Sequence, residues 1–181
     1  MIHGLPVPTP FAVGRVNCWL VEDDPLTLVD SGPNSATSLE ALEGALREHG
    51  RRVEDLERIV VTHQHMDHIG LVAILADRSG AEVCALDALA PWLARYSEVM
   101  EGDDAFAEAI MLRHGIPPDI VIALRAVTRS FRAWGASCSV DTPLARNERV
   151  TTRSAITMSR GIPWRSMIAS AKASSASMTS E

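Results

Sequence analysis

A group of histidines directly after a short apolar segment constrains the fold more than any other feature of the chain. Residues 59–61 are Ile-Val-Val, which is typical of a strand covered on both faces, and residues 62–70 read Thr-His-Gln-His-Met-Asp-His-Ile-Gly. Four side chains of metal-ligating type lie within six residues of one another, namely His63, His65, Asp67 and His68. The two-residue spacing of the first pair places both rings on one side of an extended loop. The second pair follows where the chain turns into the next helix, so it can face a second point close by.

These residue types predict a transition-metal site, with zinc as the expected metal. Neutral imidazole nitrogens and a carboxylate suit Zn(II), and Fe(II) or Mn(II) are alternatives. A bound divalent cation lowers the pKa of its water to roughly 7, which makes hydroxide available, and it polarises a carbonyl or phosphoryl oxygen. Ordinary solvated loop histidines are the competing interpretation. Four ligand-type residues at this spacing after a strand outweigh it.

Alternating strand and helix patterns around this loop predict an α/β layered domain. Strands are expected over residues 11–20, 26–29, 59–61 and 81–86. Helices are expected over residues 35–49, 71–77, 87–96, 104–114 and 119–133. The Pro-rich residues 1–10 are expected to be irregular. The Ser- and Ala-rich residues 166–181 are expected to be disordered, because they contain too few large apolar side chains to offset the entropy lost on ordering.

Composition narrows the partners and the compartment. The chain has 181 residues and a net charge of −6, which argues against nucleic acid or an anionic membrane as a partner. It contains neither an apolar run of roughly 18 residues nor the basic start of a signal peptide, so a cytoplasmic location is expected. Its three cysteines suggest no disulfide framework and are expected to be reduced, buried thiols: Cys18, Cys84 and Cys138.

The HxHxDH segment resembles the metallo-β-lactamase superfamily, and most of all its glyoxalase II-like thioester and lactone hydrolases. Residues 17–21 and 28–32 are similar to the first hairpin of that family and to its Asp-containing loop, and the resemblance covers about residues 5–150. It implies an αββα sandwich with the metals at one edge. It also implies that His63 and His65 bind a first metal and that Asp67 and His68 bind a second. Asp30 would support the site by hydrogen bonds; a turn or helix-capping role is the alternative.

By this resemblance the chain is a zinc-dependent hydrolase of one or two ions. Hydroxide on the metal would attack an ester, thioester or lactone carbonyl of a small-molecule substrate, with Asp67 orienting the nucleophile or accepting its proton. A degenerate member with weak metal binding and no catalysis is one alternative. An iron-dependent oxidoreductase of the same fold is another, although the flavodiiron type has a Glu within the motif where Gln64 and Met66 stand here. The net negative charge of the chain argues against a function like that of RNA-processing relatives.

The resemblance is incomplete towards the C-terminus. A full family site needs a third His in a Pro-Gly-His segment, a bridging Asp and a final His, yet no His follows His114. Residues 162–166 stand where Pro-Gly-His is expected and read Ile-Pro-Trp-Arg-Ser, and a guanidinium does not ligate zinc. We therefore expect a domain over residues 1–150 that contains only the first half to two thirds of the sandwich. Residues 151–181 are expected to be a non-family or disordered tail, either a diverged end or a truncated or frame-shifted reading.

Two further expectations follow from this incompleteness and from the other histidines. A missing half would leave apolar faces exposed, which favours aggregation or a homo-oligomer. His49 and His114 stand at the ends of predicted helices and are expected to be structural rather than catalytic.

Overall fold

The computed structural model describes residues 1–12 and 14–145, which form one six-stranded sheet with helices. The strands lie side by side in chain order, and they are β1 (Ile2–Pro8), β2 (Arg15–Val21), β3 (Thr27–Val29), β4 (Arg58–Val60), β5 (Glu82–Leu86) and β6 (Thr142–Leu144). The first three pair antiparallel, and β3 to β6 pair parallel. The helices are α1 (Ala36–Glu48), α2 (Met66–Ile69), α3 (Val72–Ser79), α4 (Ala90–Ala94), α5 (Tyr96–Arg113) and α6 (Pro118–Arg132), with a 3₁₀ turn over Val53–Asp55.

The main core lies between the sheet and the helices. Alternate residues of β2 illustrate the pattern, because Val16, Cys18 and Leu20 are buried in this core while Trp19 and Val21 belong to the opposite face. A smaller apolar cluster on that opposite face contains Val29, Val60 and Cys84. Parallel neighbours need crossover connections, and each of the connections β3–β4, β4–β5 and β5–β6 carries at least one helix. The expected α/β layering is confirmed.

The prediction of an irregular N-terminus is wrong. Residues 2–8 form strand β1, which pairs with β2 along its whole length. Pro6 and Pro8 indicated an irregular segment because proline cannot donate a backbone hydrogen bond to a neighbouring strand. Among residues 1–12 and 14–145, β1 has a partner on one side only, and an edge strand accommodates proline where the missing N–H faces away from the sheet.

The predicted break between helices near residues 97–103 is also wrong, since α5 runs without interruption from Tyr96 to Arg113. Gly102, Asp103 and Asp104 are poor helix formers, and they suggested a loop. Asp104 is nevertheless buried, and its carboxylate accepts a hydrogen bond from Arg132 of α6 at 2.6 Å. This tertiary ion pair outweighs the weak local propensity.

Several predicted helix ends are confirmed. α1 begins after Ser35, whose hydroxyl accepts the Ser38 N–H at 3.0 Å, and α3 ends at Gly80 with φ +72°. His49 is the C-terminal cap of α1 and packs against His3 with ring centroids 4.1 Å apart, and His114 is the C-terminal cap of α5. The expected tail and the segment at 162–166 lie outside the described residues.

Within residues 1–12 and 14–145, none of the helices combines the length and the apolar character that crossing a membrane requires.

Candidate metal centre

Two neighbouring parallel strands bring the site together at one edge of the sheet. Val29 of β3 pairs with Val60 of β4, so the residues that follow these strands emerge side by side. The Asp30 N–H donates to the Val60 carbonyl at 2.9 Å and extends the pairing by one step. Asp30 then adopts φ +60°, a left-handed conformation that Asp tolerates better than most residues. This turn directs the chain away from the sheet and leaves the Asp30 carboxylate beside Thr62.

The buried Asp30 carboxylate connects Thr62 and His68 by hydrogen bonds. Its Oδ1 accepts the Thr62 backbone N–H at 2.9 Å, and its Oδ2 accepts the Thr62 hydroxyl at 2.7 Å. The same Oδ2 lies 2.8 Å from His68 Nδ1. The Asp30 side chain is only 5% exposed, and a buried carboxylate without such partners would be strongly destabilising. Both oxygens are therefore committed to holding Thr62 and His68.

This network determines which nitrogen of each ring is free. A carboxylate can only accept, so the Thr62 hydroxyl donates its single proton to Asp30. The Thr62 oxygen, 2.8 Å from His63 Nδ1, must then accept the proton of that nitrogen. His68 likewise donates Nδ1–H to Asp30. In its neutral form each ring therefore presents Nε2 as the unprotonated nitrogen, which is the arrangement that a metal ligand with a carboxylate behind it requires.

The free nitrogens converge at spacings suited to a small cation. His63 Nε2 lies 3.1 Å from His65 Nδ1, and two nitrogens bound to tetrahedral zinc at about 2.05 Å would lie roughly 3.3 Å apart. His68 Nε2 and Asp67 Oδ2 are 3.9 Å apart, and the rings of His63 and His68 have centroids 4.1 Å apart. Asp30, His63 and His68 each offer one ligand atom within 4.8 Å of the others. The donor set thus fits a divalent transition metal.

Hydrogen bonds to the loop after β3 hold the helix that carries Asp67 and His68 in place. His65 is the N-cap of α2, and its carbonyl accepts the His68 N–H at 2.9 Å. The His68 carbonyl accepts both the backbone N–H and the hydroxyl of Ser31, at 2.9 and 3.0 Å, and Ser31 Oγ accepts the Leu71 N–H at 3.1 Å. Ser31 is fully buried. The short helix is therefore held against the loop that follows β3.

Gly70 allows this close approach. A Cβ at residue 70 would lie 2.2 Å from the Asn34 backbone nitrogen and 2.3 Å from the Trp134 carbonyl oxygen. Those two atoms also bond to each other, since the Asn34 N–H donates to the Trp134 carbonyl at 2.7 Å. Three separate chain segments meet at Gly70, directly behind the metal loop, and any side chain there would push them apart.

The two network histidines titrate in opposite directions. Burial lowers the pKa of His63, and the nearby His68 lowers it further. Burial also lowers the pKa of His68, but its hydrogen bond to Asp30 and the charge of that carboxylate outweigh the burial, so the pKa of His68 is raised. Burial therefore favours the neutral form of the His63 ring, whereas the Asp30 carboxylate favours the protonated form of the His68 ring.

The cysteines take no part in this set. Cys18, Cys84 and Cys138 are free and buried, as expected. Burial raises the pKa of the Cys18 thiol, and the charges of Asp30 and Asp67 raise it further. Burial likewise raises the pKa of Cys84 and of Cys138 to about 11. These thiols remain protonated near neutral pH, which makes them poor ligands and poor nucleophiles.

The structure brings the predicted residues together, although their roles as ligands stay predictions. Asp30, expected as a supporting residue, has the hydrogen bonds of one and also lies within reach of a metal. Thr62 is the functional residue that the sequence analysis did not identify. Its signal was a hydroxyl placed between a buried strand and the first histidine, where it can bridge a carboxylate and an imidazole.

Comparison with known proteins agrees with this geometry. The family model of the metallo-beta-lactamase superfamily matches residues 12–130. The chain belongs to this superfamily. It is 36% identical over 125 residues to the probable metallo-hydrolase YqjP of Bacillus subtilis (strain 168), an alignment that covers 69% of this chain and 39% of YqjP.

Solved structures show the same fold. The metallo-beta-lactamase family protein TTHA1429 from Thermus thermophilus superposes with a TM-score of 0.61 at 29% identity, covering 83% of this chain and 48% of that protein. A metallo-beta-lactamase of Cronobacter sakazakii superposes with a TM-score of 0.54 at 19% identity and is covered to 47%. The chain therefore spans less than half the length of these relatives. The prediction of a partial metallo-β-lactamase-like α/β fold is confirmed, while the domain boundary at residue 150 stays a prediction.

Proposed function

We propose that this chain provides the metal-binding half of a zinc-dependent hydrolase that cleaves an ester, thioester or lactone of a small molecule. The observation that supports the proposal most directly is the Asp30–Thr62 network, which engages Nδ1 of both His63 and His68, so that each ring would bind a metal through Nε2. The name of YqjP as a probable metallo-hydrolase and the superfamily match agree with it.

In this proposal each residue of the loop has a defined task. His63 and His65 bind the ion through nitrogens that already lie 3.1 Å apart, and Asp67 and His68 supply the second pair of donors. When bound, a divalent cation supplies Lewis acidity that lowers the pKa of a water to roughly 7 and polarises the substrate carbonyl. The Asp67 carboxylate oxygen that does not bind the ion would orient the attacking water or accept its proton, and Asp30 would keep His68 in its binding orientation.

Metal content and activity of the full-length chain test the proposal together. Purified protein is expected to contain one or two zinc ions per chain by elemental analysis and to hydrolyse a generic thioester, lactone or nitrophenyl ester. A chelator is expected to abolish the hydrolysis, and zinc is expected to restore it. His65→Ala is expected to lose metal and activity. His114→Ala, which removes an exposed histidine at the end of α5, is the matched control and should lose neither.

Metal binding without catalysis is the second candidate, because the chain spans less than half the length of its relatives. Tight zinc binding that is lost in His65→Ala, with no hydrolysis of any of the three substrate types, would favour this candidate. Protein that takes up no zinc would contradict both. Iron rather than zinc in protein purified from its native source would instead favour an oxidoreductase of the same fold.

A cytoplasmic location belongs to the same proposal. Three free, buried thiols without a disulfide among them are typical of proteins in a reducing compartment. Fractionation of cells that express the tagged full-length chain tests this, and recovery in a secreted fraction would contradict it.

A further inference from the structure

The hydroxyl of Thr62 lies between a buried carboxylate and the first histidine of the metal loop. Thr62 Oγ1 is 2.7 Å from Asp30 Oδ2 and 2.8 Å from His63 Nδ1. The backbone N–H of the same residue donates separately to Asp30 Oδ1 at 2.9 Å. This backbone bond already joins the segment after β4 to the loop after β3. The two bonds of the hydroxyl are an addition to it, and they concern the ring of His63.

The two metal-facing nitrogens of the first histidine pair can also bond to each other. His63 Nε2 lies 3.1 Å from His65 Nδ1, a distance that suits an N–H···N hydrogen bond as well as two ligands of one ion. A proton on His63 Nε2 would take up the lone pair that a metal needs, and it would be donated to His65 instead. Metal binding by His63 therefore requires a group that keeps the proton of this ring on Nδ1.

The Thr62 hydroxyl has the contacts of such a group. It donates its one proton to Asp30, because a carboxylate only accepts, and its oxygen is left to accept from His63 Nδ1. Asp30 Oδ2 also accepts from His68 Nδ1 at 2.8 Å. The Asp30 side chain is 5% exposed, so water competes little for that oxygen. One carboxylate oxygen thus determines the direction of the hydrogen bonds at both rings, directly at His68 and through a hydroxyl at His63.

Replacing the hydroxyl by a methyl group should reverse the proton preference of His63. In Thr62→Val the Nδ1–H would face an apolar group, and a partly buried N–H without an acceptor costs free energy. On Nε2 the same proton finds an acceptor in His65 Nδ1. The variant keeps two of the three donors to the buried carboxylate, from the backbone of residue 62 and from His68. It is therefore expected to fold, with lower stability.

We propose that Thr62 is a positioning residue that keeps His63 in its metal-binding tautomer and passes on to that ring the orientation set by Asp30. The proposal rests on the metal-binding role proposed above for His63, and it names the side chain on which that role depends. Serine supplies the same hydroxyl and should replace threonine. Valine has nearly the same shape without the hydroxyl and should not.

Nitrogen chemical shifts of the His63 ring in the metal-free, full-length chain test the tautomer directly. At a pH at which the ring is neutral, wild type and Thr62→Ser are expected to carry the proton on Nδ1, and Thr62→Val on Nε2. Thr128→Val is the matched control. It removes an exposed hydroxyl that donates to the Arg125 carbonyl at 3.1 Å, and it should leave the His63 shifts unchanged.

The tautomer readout needs no zinc. It decides the proposal even in a chain that takes up no metal, an outcome that would contradict the proposed hydrolase and leave the role of Thr62 to be read from the ring shifts. Zinc affinity, measured by competition with a chromophoric chelator, is the second readout. Thr62→Val is expected to bind zinc at least about 10-fold more weakly, and Thr62→Ser and Thr128→Val within about twofold of wild type.

Circular dichroism and urea unfolding separate a changed tautomer from a lost fold. A wild-type His63 ring with its proton on Nε2 overturns the proposal, whatever the variants do. A folded Thr62→Val chain that keeps the proton on Nδ1, or that binds zinc as tightly as wild type, overturns it as well. So does a Thr62→Ser chain that behaves like Thr62→Val, because the hydroxyl would then not be the group that matters.

Discussion

Replacing Asp30 by Asn tests whether this residue orients the metal ligands. The carboxylate accepts three hydrogen bonds, from the Thr62 N–H, the Thr62 hydroxyl and His68 Nδ1. An amide has one accepting end and one donating end. If its oxygen faces His68, its NH₂ group faces the Thr62 N–H; if it is turned round, the NH₂ group faces His68 Nδ1. With the protons placed as in the wild-type network, two donors oppose each other within hydrogen-bond distance in either orientation.

The magnitude follows from these contacts. Hydrogen bonds to a charged acceptor contribute about 1.5 to 3 kcal/mol each, so losing one and weakening the others should lower the free energy of unfolding by about 3 kcal/mol. Loss of a carboxylate behind a metal-binding imidazole weakens metal affinity by about 10- to 100-fold. The chain with Asp30→Asn is therefore expected to bind zinc more weakly by about 1.4 to 2.7 kcal/mol.

Competition with a chromophoric chelator measures the zinc affinity, and urea unfolding of the metal-free chain measures stability separately. Nitrogen chemical shifts of the His68 ring provide a readout that general destabilisation would not move, since Asp30→Asn should allow the proton to shift from Nδ1 to Nε2. Asp103→Asn makes the same charge change at an exposed position of α5 and serves as control. A folded Asp30→Asn variant with zinc affinity within about twofold of wild type would refute the reasoning.

Two further predictions concern the surroundings of the loop. Gly70→Ala places a Cβ 2.2 Å from the Asn34 backbone nitrogen and should lower the free energy of unfolding in urea by more than about 3 kcal/mol. Gly44→Ala is the control, because its Cβ meets only Arg47 at 3.9 Å within helix α1. It should leave the free energy of unfolding unchanged or raise it by up to about 1 kcal/mol. Equal effects of the two changes would contradict the close approach at Gly70. The pKa of His68 is raised in the folded chain, so its pairing with Asp30 contributes fully to the stability of the metal-free chain below the unfolded-state pKa of about 6.5. This contribution is lost as the pH rises through the pKa of His68 in the folded chain. The stability difference between wild type and His68→Asn in chelator should shrink as the pH rises above about 6.5, and a difference that grows with pH would contradict it.

The metal loop and its neighbouring strands could be predicted because they depend on local pattern. A buried strand followed at once by ligand-type residues fixes both the position of the loop and the side on which the rings project. The helix ends at Ser35 and Gly80 were predictable for the same reason, since their capping chemistry is contained within a few residues.

The errors fall where distant residues decide the outcome. β1 is a strand because β2 lies beside it, despite two prolines that argue against a strand taken alone. α5 is continuous because Arg132, 28 residues further along, pairs with Asp104. The role of Thr62 depends on Asp30, which lies 32 residues earlier and beside it only in the folded sheet. A pattern read along the chain contains none of these pairings.

The same reasoning connects helix α6 with the metal loop. Read alone, α6 is an ordinary amphipathic helix whose apolar residues should face the core, and only its ion pairs with α5 show that they do not. The segment that follows α6 returns to the site, because the Trp134 carbonyl accepts the Asn34 N–H beside Gly70. The α5–α6 pair is thus joined through a single short segment to the backbone behind His68. Zinc affinity that stays unchanged when the α5–α6 ion pairs are removed would show that the metal loop keeps its structure independently of this connection.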